Sequence, residues 1–216
     1  MALNFSHKIM FALMLTCLFV SVFSNIEFSE QVFANMREKY DAQAEQRARD
    51  WQRLILANQN VPIEDKLYEA NKFFNRMSFE DDIKHWGKVD YWATPLEFLG
   101  KDAGDCEDFT IAKYFTLLEM GVENTKLKLM YVTATRPRQA HMVLAYYETP
   151  SSIPLVLDNL NKRILLASQR RDLIPIYSFN GEGLWEAKEQ GRGRQLQKGG
   201  NNKLWADVNS RMQQGF

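Results

Sequence analysis

Between residues 28 and 57 apolar side chains return every three or four positions: Phe33, Met36, Tyr40, Ala44, Ala48, Trp51 and Ile55. That spacing gathers them on one face and predicts a single amphipathic helix over the stretch. Pro62 opens a second helix, with Leu67, Ala70, Phe73, Phe74 and Met77 as its stripe. Residues 79–84 read as a short turn. Thr94-Pro95-Leu96-Glu97 combines a hydroxyl cap, proline at the first helical position and a glutamate three residues past the cap. A short helix therefore starts there. Gly104-Asp105-Cys106 begins another, capped by Asp105 and stopped by Gly121, with Phe109, Ala112, Phe115 or Thr116, and Leu118 facing inward. After Gly121 the period shortens. Residues 126–133, 140–147, 153–157, 164–167 and 173–178 read as short strands. Residues 192–202 are polar and Gly-rich, so the chain after about residue 190 is expected to be mobile, and 204–212 can form a last helix. Helices first and strands afterwards predict an α+β domain with a mainly antiparallel sheet.

The first residues follow another logic. Lys8 precedes an apolar run from Ile9 to Phe23, and Val22-Phe23-Ser24 offers a cleavage site. This is the pattern of a signal peptide, too short for a comfortable membrane span. An uncleaved anchor fits it less well. So does a lipoprotein site at Cys17, because Met14-Leu15-Thr16 lacks the small residues such a site prefers. Residues 1–24 are thus expected to direct export to the periplasm, leaving 25–216 as one domain. The length is enough for a substantial core. Basic and acidic residues balance at 27 each, which removes any electrostatic argument for nucleic acid or an anionic membrane surface.

Export changes the cysteine arithmetic. Cys17 leaves with the signal, and Cys106 remains without a disulfide partner in an oxidising compartment. A lone cysteine is often only a small buried hydrophobe. Here it begins a helix, where unpaired N–H groups and the helix dipole favour a thiolate. A thiolate nucleophile needs an imidazole, and the mature chain offers His85 and His141. His85 lies in a polar-to-aromatic connector and reads as a surface or supporting residue. His141 starts a strand, and Asp158 ends the next. If Glu148-Thr149-Pro150-Ser151 is a four-residue hairpin loop, Tyr147 pairs with Ser152 and His141 falls directly opposite Asp158 on one face. Pro154 counts mildly against that strand, since it has no N–H for a ladder. Singly, a histidine is more often structural, and an aspartate after a strand more often forms a turn. Together the three residues point to Cys106 as nucleophile, His141 as base and Asp158 as the group that orients it.

Gly104-Asp105-Cys106-Glu107-Asp108-Phe109, Ala140-His141-Met142-Val143 and Leu157-Asp158-Asn159 resemble the bacterial transglutaminase-like cysteine proteinases, as do the aromatic lead-in from Trp86 to Trp92 and the segment from Thr94 to Leu99. The likeness spans roughly residues 30–180. It implies a papain/transglutaminase-like core and a periplasmic protease. Such a protease cleaves the N-terminal region of a giant outer-membrane adhesin at a di-alanine site, so that cells leave a biofilm. It also implies an inner-membrane receptor for cyclic di-GMP that sequesters the enzyme. Trp86 and Trp92 are then cleft residues or, more plainly, core aromatics. Papain carries a glutamine six positions before its cysteine to help bind the oxyanion, and here that position is Gly100. The Cys106 N–H supplies one donor, and the Trp92 indole is a candidate for the second. A transglutaminase, in which a lysine resolves the acyl-enzyme, would use the same triad. A binding module on a degenerate protease fold would have no need to retain all three residues.

Asp105, Glu107 and Asp108 crowd Cys106 with negative charge, which disfavours a thiolate. Capping explains the acids but not the poise of the thiol. A bound Ca²⁺ would reconcile the two, since carboxylates suit a hard cation whose charge reverses the local effect. The resemblance likewise implies calcium dependence with ligands flanking the cysteine: Asp105 and Glu107, with Asp108 as a further candidate.

Overall fold

The computed structural model describes residues 28–186, the backbone of 195–198, and 202–213. The expected signal peptide lies outside them. Among the described residues no helix is long and apolar enough to cross a membrane.

The first periodic stretch forms two helices, not one: α1 (Glu30–Lys39) and α2 (Ala42–Ala57). Asp41 breaks it. Its backbone is extended, and its carboxylate accepts the Ala44 N–H at 2.6 Å, so a new N-cap interrupts a hydrophobic period that runs through unchanged. Helix α3 (Ile63–Phe74) follows Pro62 as expected. Residues 79–84 hold more than a turn: β1 (Ser78–Phe79), then α4 (Asp82–His85). The Thr94 capping box is present at the start of α5 (Pro95–Lys101), which leads through β2 (Ala103–Gly104) into α6 (Cys106–Glu119). Asp105 caps α6, and Gly121 follows it with φ 85, a left-handed conformation that only glycine takes at little expense.

Seven strands then build an antiparallel sheet: β3 (Leu127–Thr135), β4 (Arg138–Tyr146), β5 (Leu155–Leu157), β6 (Leu165–Leu166), β7 (Leu173–Asn180), β8 (Gly183–Glu186) and β9 (Gln195–Lys198), in the order β6-β5-β4-β3-β7-β8-β9. Strands β1 and β2 form a separate parallel pair. Strand β8 carries no strong sequence signal. Strand β9 falls inside the stretch expected to be mobile, yet it pairs with β8. Helix α7 (Lys203–Gln213) closes the chain as expected.

Helix α6 sits at the centre. One apolar cluster fills the space between it and the sheet, joining Ile111, Tyr114 and Leu117 to Leu129, Met142, Leu144 and Phe179, with Trp205 of α7 beside them. A second joins Phe109 and Ala112 of α6 to Phe33, Trp51, Phe74 and Phe98 of the other helices. The helix is therefore buried from Asp108 to Leu117 on every side, where the sequence suggested only one inward face. Inside it Trp51 donates to Thr116 Oγ1 at 2.7 Å, which satisfies an indole N–H that would otherwise be orphaned.

Candidate active site

The hairpin register differs from the expected one by two residues. Leu144 pairs with Leu157 and Tyr146 with Leu155, so the loop is longer than four residues and β5 starts only after Pro154. A slip of two keeps every side chain on its face. Asp158, just past the end of β5, therefore meets His141 diagonally: His141 Nε2 lies 2.8 Å from Asp158 Oδ1, and both residues are 1 % exposed.

Where β5 stops, the first turn of α6 takes over the edge of β4. The Thr110 hydroxyl reaches the Met142 carbonyl at 3.0 Å and the Cys106 carbonyl at 2.8 Å, and the Met142 N–H lies close enough to the Cys106 sulfur to favour its thiolate. The nucleophile candidate is thus tied to the main chain of the residue after His141. With Nε2 committed to Asp158, His141 keeps Nδ1, which is buried and has no hydrogen-bond partner among the described residues. His85 stands apart, edge-on to Trp86 at 5.1 Å and near Glu80, Lys101 and Ala103.

Asp158 accepts more than the imidazole. Oδ1 also takes the Leu160 N–H at 3.0 Å, and Oδ2 takes Arg170 Nη2 at 2.6 Å. Arg170 is itself buried and shared with Asp172. Burial alone would raise the Asp158 pKa. The hydrogen bonds and charges of His141 and Arg170 outweigh it and hold the carboxyl at about 2. Sequence reasoning missed Arg170. It follows a 3₁₀ turn twelve residues downstream, and no local pattern separates it from Arg171 beside it.

The acids at the helix start divide into two groups that share Asp105. The ligand atoms of Asp105, Cys106 and Glu107 lie within 4.8 Å of one another, as do those of Asp82, Asp105 and Asp108. Asp108 is fully buried, with Oδ1 on the Ala93 N–H at 2.8 Å and Oδ2 on the Asp105 N–H at 3.3 Å, so both its oxygens already serve the backbone. Asp82, which the sequence gave no reason to single out, binds the Tyr91 N–H through Oδ2 and leaves a buried Oδ1 without a partner among the described residues. Its pKa is pushed up to about 6 by burial, with Glu107 among the repelling charges. Burial and the same neighbours raise Asp105. Glu107 Oε2 accepts the Cys106 S–H at 2.8 Å, while Oε1 accepts the Tyr131 hydroxyl at 3.0 Å. Burial, then Glu107 and Asp105, push the Cys106 thiol well above its usual value. The carboxylates of Asp82, Asp105, Glu107 and Asp108, with one orphaned oxygen and no basic side chain among their hydrogen bonds within the described residues, fit a hard divalent cation.

Gly100 cannot mimic papain's glutamine. A Cβ there would meet the Tyr40 ring at 2.4 Å. The Trp92 indole N–H is buried and outside hydrogen-bond geometry with any of the described residues, though close enough to Asp90 to be felt by that carboxyl. Trp92 stacks on Phe179 within the sheet-side core, and Trp86 packs against Tyr91 in the helical one.

A cysteine at a central helix start, beside a histidine–aspartate pair on an antiparallel sheet, defines a thiol protease of the transglutaminase-like class. Residues 30–187 match the model of the bacterial transglutaminase-like cysteine proteinases (BTLCP), and the chain belongs to that family. It is similar to the solved structures of Legionella pneumophila LapG. The EGTA-treated form is 40% identical with a TM-score of 0.75, covering 85% of this chain and 96% of that one. The calcium-bound form is 40% identical with a TM-score of 0.74, covering 86% and 99%. No curated protein gives a significant match. The protein is a cysteine protease with a transglutaminase-like fold.

Proposed function

We propose that Cys106, His141 and Asp158 act as the triad of a calcium-dependent periplasmic endopeptidase. Its substrate is the N-terminal region of a large outer-membrane adhesin, cut between small residues of the di-alanine type. Release of the adhesin frees cells from a biofilm, and an inner-membrane cyclic di-GMP receptor holds the protease in check. One observation carries the catalytic part: His141 Nε2 is bound to Asp158 while Nδ1 stays unbonded beside the strand position that touches Cys106.

Nδ1 takes the thiol proton, and the sulfur attacks the scissile carbonyl carbon. The developing oxyanion is met by the Cys106 N–H and the Trp92 indole. The protonated Nδ1 then gives its proton to the leaving amine, and water attacks the thioester with His141 again as base. Asp158 stabilises the imidazolium and fixes its tautomer. Asp105 and Glu107 would hold the calcium ion, with Asp82 and Asp108 as neighbouring oxygens. Bound there, calcium supplies the positive charge that the clustered carboxylates lack. Incubating the protease with an adhesin N-terminal segment and sequencing the fragments tests the substrate reading. A cut between alanines supports it, and a cut at bulky or charged residues overturns it.

A further inference from the structure

Behind the triad runs a chain of buried amides. Asn71 and Asn75 lie one turn apart, at the end of α3, and are 3 % and 5 % exposed. Asn71 Nδ2 donates to the Lys162 carbonyl at 2.9 Å, and Asn75 Nδ2 donates to the Asp158 carbonyl at 2.9 Å. The two are linked, Asn75 Nδ2 to Asn71 Oδ1, at 3.1 Å. The loop from Asp158 to Lys162 is therefore pinned at both ends by a single helix. Asn75 Oδ1 in turn accepts Lys113 Nζ at 2.8 Å. Lys113 lies on α6, two turns below Cys106, and is 1 % exposed.

A lysine buried against a neutral amide is expensive, and an apolar residue of the same length would fill the space more cheaply. The Phe109 ring, 5.8 Å from Nζ, gives it only weak support. What Lys113 does accomplish is to fix the amide. Burial lowers the Lys113 pKa to about 7 against the favourable charge of Asp158; in its ammonium form it can only donate, so the Asn75 oxygen faces it and the Asn75 nitrogen faces the Asp158 carbonyl, which can only accept.

We infer that Asn75 and Lys113 are positioning residues for the proteolytic reaction, coupling the nucleophile helix to the backbone of Asp158. This rests on reading Asp158 as the group that orients His141. Asn75→Asp separates positioning from stability. The new carboxylate still accepts Lys113, and with opposite charge, but it cannot donate to the Asp158 carbonyl or to Asn71 Oδ1. Lys113→Met removes the orienting donor and keeps the volume.

The readout is alkylation of Cys106 by iodoacetamide across pH in the calcium-loaded protein, where it is the one thiol of residues 25–216. Peptide cleavage accompanies it, with kcat and KM taken separately. Both variants should slow alkylation, change its pH profile and lower kcat about ten- to a hundredfold at nearly constant KM, as small misplacements of a catalytic group do. The melting temperature of each variant is measured alongside, so that a fall in kcat is read from folded protein. Wild-type profiles and kcat in both variants, alongside a clear defect in Asp158→Asn, would overturn the inference while leaving the triad intact. A wild-type profile in Asp158→Asn would overturn the triad reading, and this inference with it. If Asn75→Asp fails to fold, Lys113→Met decides alone.

Discussion

Replacing Asp158 by asparagine exchanges one oxygen for an NH₂ group in a site lined by three hydrogen-bond donors. In the native site every partner of this carboxylate is a donor: His141 and the Leu160 N–H on Oδ1, Arg170 on Oδ2. An amide must point its NH₂ at one of these groups. Facing Arg170, it sets donor against donor in a buried position. Facing His141, it obliges Nε2 to accept, so the imidazole proton moves to Nδ1, the nitrogen needed to receive the thiol proton. Folding draws the Asp158 pKa from 3.8 to about 2, a gap equivalent to about 2.5 kcal/mol of stabilisation for the charged form. Because the folded value is the lower one, that contribution is complete above about pH 4 and fades as pH falls through 2. The expected loss in turnover is larger, about a thousand- to ten-thousandfold, or roughly 4 to 5.5 kcal/mol in the barrier. Urea unfolding of both proteins at neutral and acid pH measures the first quantity, with the difference shrinking in acid. Steady-state cleavage of an Ala–Ala peptide measures the second. Turnover within tenfold of wild type in a folded Asp158→Asn protein would refute the reasoning and leave Asp158 as a turn residue.

Cys106→Ala should abolish peptide cleavage while unfolding stays within about 1 kcal/mol of wild type; residual turnover by the folded variant, measured by mass spectrometry of the products, would exclude a thiol mechanism. Chelation should abolish activity, and calcium but not magnesium should restore it. Asp105→Asn and Glu107→Gln should weaken calcium binding in a calorimetric titration, and full activity in chelator would remove the metal. Without calcium, burial and Glu107 hold the thiol up, so calcium should accelerate iodoacetamide labelling at neutral pH by raising the thiolate fraction. Arg170→Met strips a donor from a buried carboxylate and should lower stability by about 3 to 5 kcal/mol. The acid limb of its pH–activity profile should move upward, because Asp158 then protonates more easily; an unmoved limb would contradict this.

The elements most legible in the sequence were those with local chemistry. Asp105, Gly121 and the Thr94 box mark helix ends through bonds made within a few residues, and the structure places them as read. The hairpin was legible in face but not in register. Pro154 cannot join a ladder, and Tyr147 gives its N–H to Lys126, so pairing begins at Tyr146 and Leu155. Parity survived because the error was even. The break at Asp41 was hidden because the hydrophobic period continues across it. Asp82, Arg170, Asn71 and Asn75 were invisible for another reason. Their partners lie on other elements, and a polar residue that ends up buried in a network has the same sequence appearance as one that faces water.

Met142 has a consequence in terms of dimensional tolerance. Nucleophile and base come from elements 35 residues apart in the chain, and ordinarily the uncertainty in their separation would accumulate through a helix, a loop and a strand. Here the Thr110 hydroxyl ties the Cys106 carbonyl to the Met142 carbonyl, and His141 is the covalent neighbour of Met142. The effective linkage between the two is one hydroxyl bridge and one peptide unit. Thermal or mutational drift elsewhere in the sheet then carries both partners together. The side chain at 142 can vary as packing requires, whereas an insertion or deletion of one residue in β4 would shift His141 to the wrong face without moving Cys106.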